Sequence, residues 1–198
     1  MSAPRFETER LLVTMLAVDD APRMRAFYEG NRAHLERWMP AAPEGFYTDA
    51  YWQVRLEKSF DELAADRSVR LVLCDRADPG GPLVGTVSVS EIVRGSLQQA
   101  YLGYNVAAER EGRGLMREGL ERVVQWAFDG LGLHRIAANY QPTNERSGQL
   151  LRRLGFVVEG YARDYLLIDG QWRDHVLTAK TNPHWAKPAF EGVAGTRT

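Results

Sequence analysis

The chain is short of the features that mark several common protein classes. It has one cysteine, Cys74, in 198 residues, so no internal disulfide can close, which fits a reducing cytoplasm. No apolar run approaches the ~20 residues that a membrane-spanning helix needs. The opening Met1-Ser2-Ala3-Pro4-Arg5-Phe6-Glu7 lacks the basic-then-apolar order of a secretion signal. Neither sign of charge is in excess: 25 Lys and Arg stand against 26 Asp and Glu, interspersed, for a formal −1. That balance leaves nothing for a polyelectrolyte grip on nucleic acid or on an anionic membrane. The four histidines, His34, His134, His175 and His184, show no metal-ligand spacing, so no metal is expected. Internal repeats are missing too. The expectation is one soluble intracellular domain over residues 1–186. Beyond Trp185 the composition turns to Pro, Gly, Ala and Thr, which predicts a frayed tail at 187–198.

Apolar alternation predicts strands at residues 10–15, 69–75 and 84–93, and helical spacing predicts helices near 20–29, 32–38 and 51–65. Asp78-Pro79-Gly80-Gly81-Pro82 reads as a turn, and Asp169-Gly170 as the tip of a hairpin between two late strands. Strands interleaved with helices, with hairpins at both ends, make a mixed α/β sheet.

The most informative stretch is residues 101–156. Tyr101-Leu102-Gly103-Tyr104-Asn105-Val106 reads as a strand, and a polar loop containing Gly112-Arg113-Gly114 follows it. Leu115, Met116, Leu120, Val123, Val124, Ala127, Phe128 and Leu131 then recur at near-helical spacing until Gly130 and Gly132 stop the helix. A glycine turn feeding a helix N-terminus gathers unpaired N–H groups and the positive end of the helix dipole, a natural seat for phosphate or pyrophosphate. Glycine in such a turn also serves backbone geometry alone. Two other phosphate loops are excluded. Arg117 stands where a dinucleotide fingerprint needs its third glycine, and no Gly-Lys-Ser/Thr opens the helix. A second unit follows, with a strand at 134–140, an N-cap at Asn144, Ser147 one turn in, and a stop at Gly155-Phe156.

These residues resemble the GCN5-related N-acetyltransferases. That family's acyl-CoA loop reads Gln/Arg-x-x-Gly-x-Gly/Ala, and Glu111-Gly112-Arg113-Gly114-Leu115-Met116 falls on it, departing at Glu111 and Met116. Asn144-x-x-Ser147 with Leu154-Gly155-Phe156 is similar to its second signature. Thr8-Glu9-Arg10-Leu11-Leu12-Val13, Asn31-Arg32-x-His34-Leu35-x-x-Trp38-x-Pro40, Val93-Arg94-Gly95-Ser96 and the run from Asp164 to His175 resemble the ribosomal-protein-alanine branch, the RimJ type in particular. The resemblance spans roughly residues 5 to 185. It implies a single domain with a mixed, mostly antiparallel sheet, a splayed central strand pair and flanking helices.

The resemblance also implies a site. Acetyl-CoA would lie on the backbone of Tyr104, Asn105 and Val106, on the loop residues Glu111, Gly112, Arg113, Gly114, Leu115, Met116 and Arg117, and near Asn144. Ser147 would protonate the leaving thiolate, or else only satisfy its own helix turn. The tyrosine that many relatives place seven residues past the asparagine is Leu151 here. Two carboxylate positions used as a base elsewhere in the family are Leu166 and Tyr101. Asp164 is the nearest remaining carboxylate, with Asp174 on the facing strand. Trp38, Tyr101 and Asp174 are the expected acceptor-side residues, while Trp52 fits either core or groove. Cys74, in an apolar strand, reads as core rather than as a nucleophile. The implied activity is acetyl transfer to a protein N-terminal amine, in particular an N-terminal alanine of a small-subunit ribosomal protein, by a cytoplasmic monomer or homodimer. A small-molecule amine acceptor, or acetyl-CoA-dependent ribosome assembly without catalysis, remains open at this stage.

Overall fold

The computed structural model describes residues 3–186; the expected tail at 187–198 lies outside them. Eight strands form one sheet: β1 Arg5–Glu7, β2 Leu11–Thr14, β3 Val69–Asp75, β4 Asp78–Val93, β5 Gln99–Val106, β6 Arg135–Tyr140, β7 Val157–Ile168 and β8 Gln171–Thr181. Their order across the sheet is β1-β2-β3-β4-β5-β6-β8-β7. Every neighbouring pair is antiparallel except β5 and β6. Parallel neighbours need a long crossover, and helix α4, Leu115–Asp129, supplies it. The other helices are α1 Ala21–Gly30, α2 Arg32–Leu35, α3 Asp49–Ala64 and α5 Glu145–Arg153.

Alternation along the strands divides the core into two layers. Leu11, Val13, Leu71 and Leu73 face α4, where they meet Leu120, Val123, Val124, Ala127 and Phe128. Leu12, Val72 and Cys74 face the opposite way, onto Met24, Phe27 and Tyr28 of α1 and Trp52 and Leu56 of α3. A one-residue slip of register would invert both sets. Cys74 is buried, with the Arg23 guanidinium 3.5 Å from its sulfur, and this agrees with the reading of it as core.

The predicted elements return with shifted ends and one error. Residues 78–82 are the start of β4, not a turn. Asp75 pairs with Asp78, so Arg76 and Ala77 form the bend, and Asp75 Oδ1 accepts from the Ala77 N–H at 3.0 Å. Arg23 holds the extended segment by donating to the carbonyls of Pro79 and Gly81, at 2.7 and 2.9 Å. At the other hairpin, Asp169 and Gly170 both have positive φ, 47° and 69°, as a two-residue turn matched to strand twist requires.

Candidate active site

The site opens where β5 and β6 part. Their pairing runs only from Gln99↔Arg135 to Tyr101↔Ala137, while β5 stays bonded to β4 as far as Val106↔Gly85. From Leu102 to Val106, the far edge of β5 therefore has no strand beside it. Its main-chain donors and acceptors on that side are available to a ligand. The cleft so formed has a volume of about 1580 Å³, room for two substrates rather than one small ligand.

One end is the loop into α4. Gly112 and Gly114 have φ of 72° and 75°, a conformation open to glycine. No side chain caps the helix at Gly114. The first intrahelical bond runs from the Glu118 N–H to the Gly114 carbonyl at 3.1 Å, so the amides of Leu115, Met116 and Arg117 precede it. That is the anion seat which helix ends provide. Met116, the departure from the small residue, is buried in the core. It fits because β4 carries Gly85 there; a Cβ on Gly85 would lie 2.9 Å from Met116 Cε. Glu111, the other departure, is hydrogen-bonded by Arg146 and lies 3.5 Å from His34 Nε2. Arg110, Arg117, Arg146 and Arg153 line the cleft from the surrounding elements.

Arg10 braces the loop from behind. Its Nη1 donates to the Arg113 carbonyl at 3.0 Å, and its Nε pairs with Glu118 Oε2 at 2.7 Å. Burial pushes the Glu118 pKa up, but the Thr8 hydroxyl and the Arg10 N–H and guanidinium, all donating to it, more than offset that and hold it below its ordinary value.

Ser147 sits at the mouth of the splay. Asn144 caps α5, its Oδ1 accepting from the Ser147 N–H at 3.1 Å. Gly148 lets the helix lie against β6, since a Cβ there would fall 2.7 Å from the Tyr140 ring. The Ser147 hydroxyl is then 2.8 Å from the Tyr104 hydroxyl. Burial pushes the Tyr104 pKa up to about 12, against the opposing pull of the Ser147 bond. Tyr104 thus keeps its proton at neutral pH.

The other end is walled by the segment after α2 and the β7–β8 hairpin, and the two walls touch: the Asp169 N–H donates to the Met39 carbonyl at 3.3 Å. Trp38 lines the cleft with the Arg37 guanidinium 4.8 Å from its ring. Trp52 is both core and wall. It stacks on Tyr28 at 5.0 Å and 3°, and it lines the cleft. Arg55 and Arg70 line this region too and share Glu62, at 2.8 and 3.5 Å. Among the described residues the only carboxylates on the cleft wall are Glu111 and Glu145.

Asp164, Asp174 and Tyr101 are not brought to that wall. Asp164, at φ 47°, lies in a bulge of β7, between the pairs Ala162↔His175 and Leu166↔Arg173. Its N–H donates to Asp174 Oδ1 at 2.9 Å, and the Tyr161 hydroxyl donates to Asp174 Oδ2 at 2.6 Å. These two bonds, the tyrosine first, hold the Asp174 pKa below its usual value. Tyr101 turns instead toward Tyr165, whose pKa is raised by burial first and by the Tyr101 hydroxyl second. Leu166, one of the two positions at which the resemblance implied a carboxylate, does line the cleft.

The family model for the acetyltransferase (GNAT) domain matches residues 10–157. The chain belongs to the GNAT acetyltransferases. It is 42% identical over 181 residues to the [ribosomal protein uS5]-alanine N-acetyltransferase of Escherichia coli, covering 91% of this chain and 92% of that protein. The fold superposes on the ribosomal-protein-S5-alanine acetyltransferase of Vibrio fischeri with a TM-score of 0.88 at 35% identity, covering 93% and 100% of the two chains. It is also similar to Mycobacterium smegmatis RimJ in complex with CoA-disulfide, with a TM-score of 0.81 at 27% identity, covering 90% and 86%. The mixed sheet with its splayed central pair is the GNAT fold.

Several cleft residues were not singled out from the sequence. Arg55 and Arg70 lie on separate elements and converge only through Glu62. Asn139 and His175 stand on adjacent strands and both line the cleft. Period-two alternation on β8 places His175 on a buried face, but nothing local says that this face borders a cleft.

Proposed function

We propose that this GNAT enzyme transfers acetyl from acetyl-CoA to the α-amine of a protein N-terminus in the cytoplasm, the acceptor being a small-subunit ribosomal protein that begins with alanine. Similarity to uS5-alanine acetyltransferases along nine-tenths of the chain supports the acceptor. One observation within the cleft carries it further: among the described residues the acceptor side is lined by Arg37, Arg55 and Arg70 and by no carboxylate, with Glu62, off the wall, pairing with two of the three arginines. A polyamine needs acidic partners and would be repelled there, whereas a peptide offers carbonyl oxygens to those guanidinium groups.

The residues present fit acetyl-CoA. The uncapped amides at the start of α4 would receive the pyrophosphate, with Arg110, Arg117, Arg146 and Arg153 neutralising its phosphates. The open edge of β5 at Tyr104, Asn105 and Val106 would pair with the pantetheine amides and polarise the thioester carbonyl. The co-substrate supplies an activated acyl carbon and a thiolate leaving group. Ser147 would hand its proton to that sulfur, and Tyr104 holds the Ser147 hydroxyl in place. An α-amine has a pKa of about 8 against about 10.4 for lysine, so far more of it is neutral and nucleophilic at pH 7. Positioning then supplies much of the remaining rate.

A panel of amines incubated with acetyl-CoA and read by mass tests this. A peptide beginning with free alanine gains acetyl at its α-amine; acetylation confined to spermidine or an aminoglycoside would overturn the acceptor while leaving the cofactor site intact.

A further inference from the structure

We infer that His175 is the base that takes the proton from the acceptor amine, a step for which the described residues of the cleft wall offer no suitable carboxylate. The inference rests on the acetyl-transfer reading above. His175 is 4% exposed and lines the cleft from β8, beside Leu166 and Ile168 of β7 and Asn139 of β6. Its Nδ1 lies 3.0 Å from the Arg173 carbonyl oxygen. A carbonyl only accepts, so Nδ1 carries the proton and donates it. The neutral ring then has its lone pair on Nε2, the nitrogen that no described side chain occupies. The Tyr165 ring packs against the imidazole with centroids 5.5 Å apart, and Asn139 Nδ2 holds the Tyr165 hydroxyl at 3.2 Å. The imidazole is thus fixed in tautomer by its own strand and backed by β7.

The charged and titratable groups around it are Tyr165 of β7, Tyr101 of β5, Asp174 beside it on β8, and Arg55 and Arg70 across the cleft. Asp174 is engaged by Tyr161 and by the Asp164 N–H, so it is not free to act itself. The acceptor enters as a neutral amine. As its nitrogen bonds to the acyl carbon, Nε2 accepts the proton the nitrogen sheds. The C–S bond breaks, the thiolate takes a proton from Ser147, and solvent carries the imidazolium proton back to the Ser147 oxygen. Amide and thiol form with no net proton.

His175→Asn keeps a donor for the Arg173 carbonyl and removes the far side of the ring with the Nε2 lone pair. With an alanine-initiated peptide we expect kcat to fall by ~10²- to 10⁴-fold, the range for one general base, with acetyl-CoA affinity by calorimetry unchanged. The acid limb of the wild-type kcat profile disappears in the variant. A kcat within three-fold of wild type, or an unchanged profile, overturns the assignment. Independently, ¹⁵N NMR of the wild-type protein must find neutral His175 protonated at Nδ1; protonation at Nε2 overturns it even if the variant fails to fold. A wild-type protein inert toward the peptide defeats the acceptor reading instead, and the tautomer then decides for or against His175 alone.

Discussion

The Tyr104 and Ser147 hydroxyls meet at 2.8 Å across the gap between β5 and α5. The two residues are 43 positions apart in the chain, and the contact exists only because β5 and β6 part above Tyr101. It points the serine hydroxyl at the mouth of the splay and gives it a partner that does not ionise at neutral pH.

Removing the serine hydroxyl therefore tests the acid. Ser147→Ala lowers kcat by ~10- to 1,000-fold, the span for losing an acid catalyst or hydrogen-bond donor, with little change in the KM for acetyl-CoA. Tyr104→Phe has a smaller effect, because the serine keeps its proton and loses only its fixed orientation. A Ser147→Ala enzyme with near-full kcat would reduce Ser147 to a helix-turn residue.

Tyr104 also leaves a mark on stability. Its folded pKa is about 12, above the ~10 of an unfolded tyrosine. Between those values the unfolded chain releases the phenolic proton and the native one keeps it. The contribution is thus whole below pH 10 and is lost as pH rises toward 12. Urea midpoints measured from pH 9 to 11.5 should fall less steeply for Tyr104→Phe than for wild type; identical slopes would refute the burial argument.

The pyrophosphate seat is tested at Gly114. Gly114→Glu places a carboxylate among the amides of the α4 terminus and a Cβ on a residue at φ 75°. Acetyl-CoA binding by calorimetry should vanish in a protein that still melts cooperatively. Unchanged affinity would move the site elsewhere.

Glu118 links the loop to acid stability. Its lowered pKa means that its contribution is full above the unfolded value and is lost as pH falls through the folded one. Glu118→Gln should cost about 1–3 kcal/mol at pH 7, as expected for hydrogen bonds to a charged acceptor. It should also flatten the loss of stability between about pH 5 and 3, the region around a carboxylate's ordinary pKa. Denaturant titrations across that range check both. The same variant weakens the ion pair that anchors Arg10, whose Nη1 holds the Arg113 carbonyl, so weaker acetyl-CoA binding should accompany the change.

The proposed selection of the acceptor by charge is tested at Arg70. Arg70→Glu removes one of the cations that repel polyamines and adds a partner for them. We expect kcat/KM for spermidine to rise relative to that for an alanine-initiated peptide. A peptide preference unmoved by the substitution would show that Arg70 does not select the acceptor.

What the sequence determined by itself is local. Helical and period-two spacing delimited α4 and β3, Asn144 announced the α5 cap, Gly112 and Gly114 announced the turn that feeds α4, and Asp169-Gly170 announced the hairpin tip. Each depends on residues within a few positions of one another, where propensity and hydrogen bonding act directly. The turn expected at residues 78–82 failed because its proline and glycines are held extended by Arg23, a partner from α1 that no local rule includes. Only the tertiary structure decided which side chains converge. It turned Met116 into the core over Gly85, engaged Asp164 and Asp174 with each other in the β7 bulge, and brought Tyr104 to Ser147. It likewise set His175 on the cleft beside Leu166. These relations join residues on different strands and helices, and strand order, bulges and the single parallel pair fix them rather than any spacing along the chain.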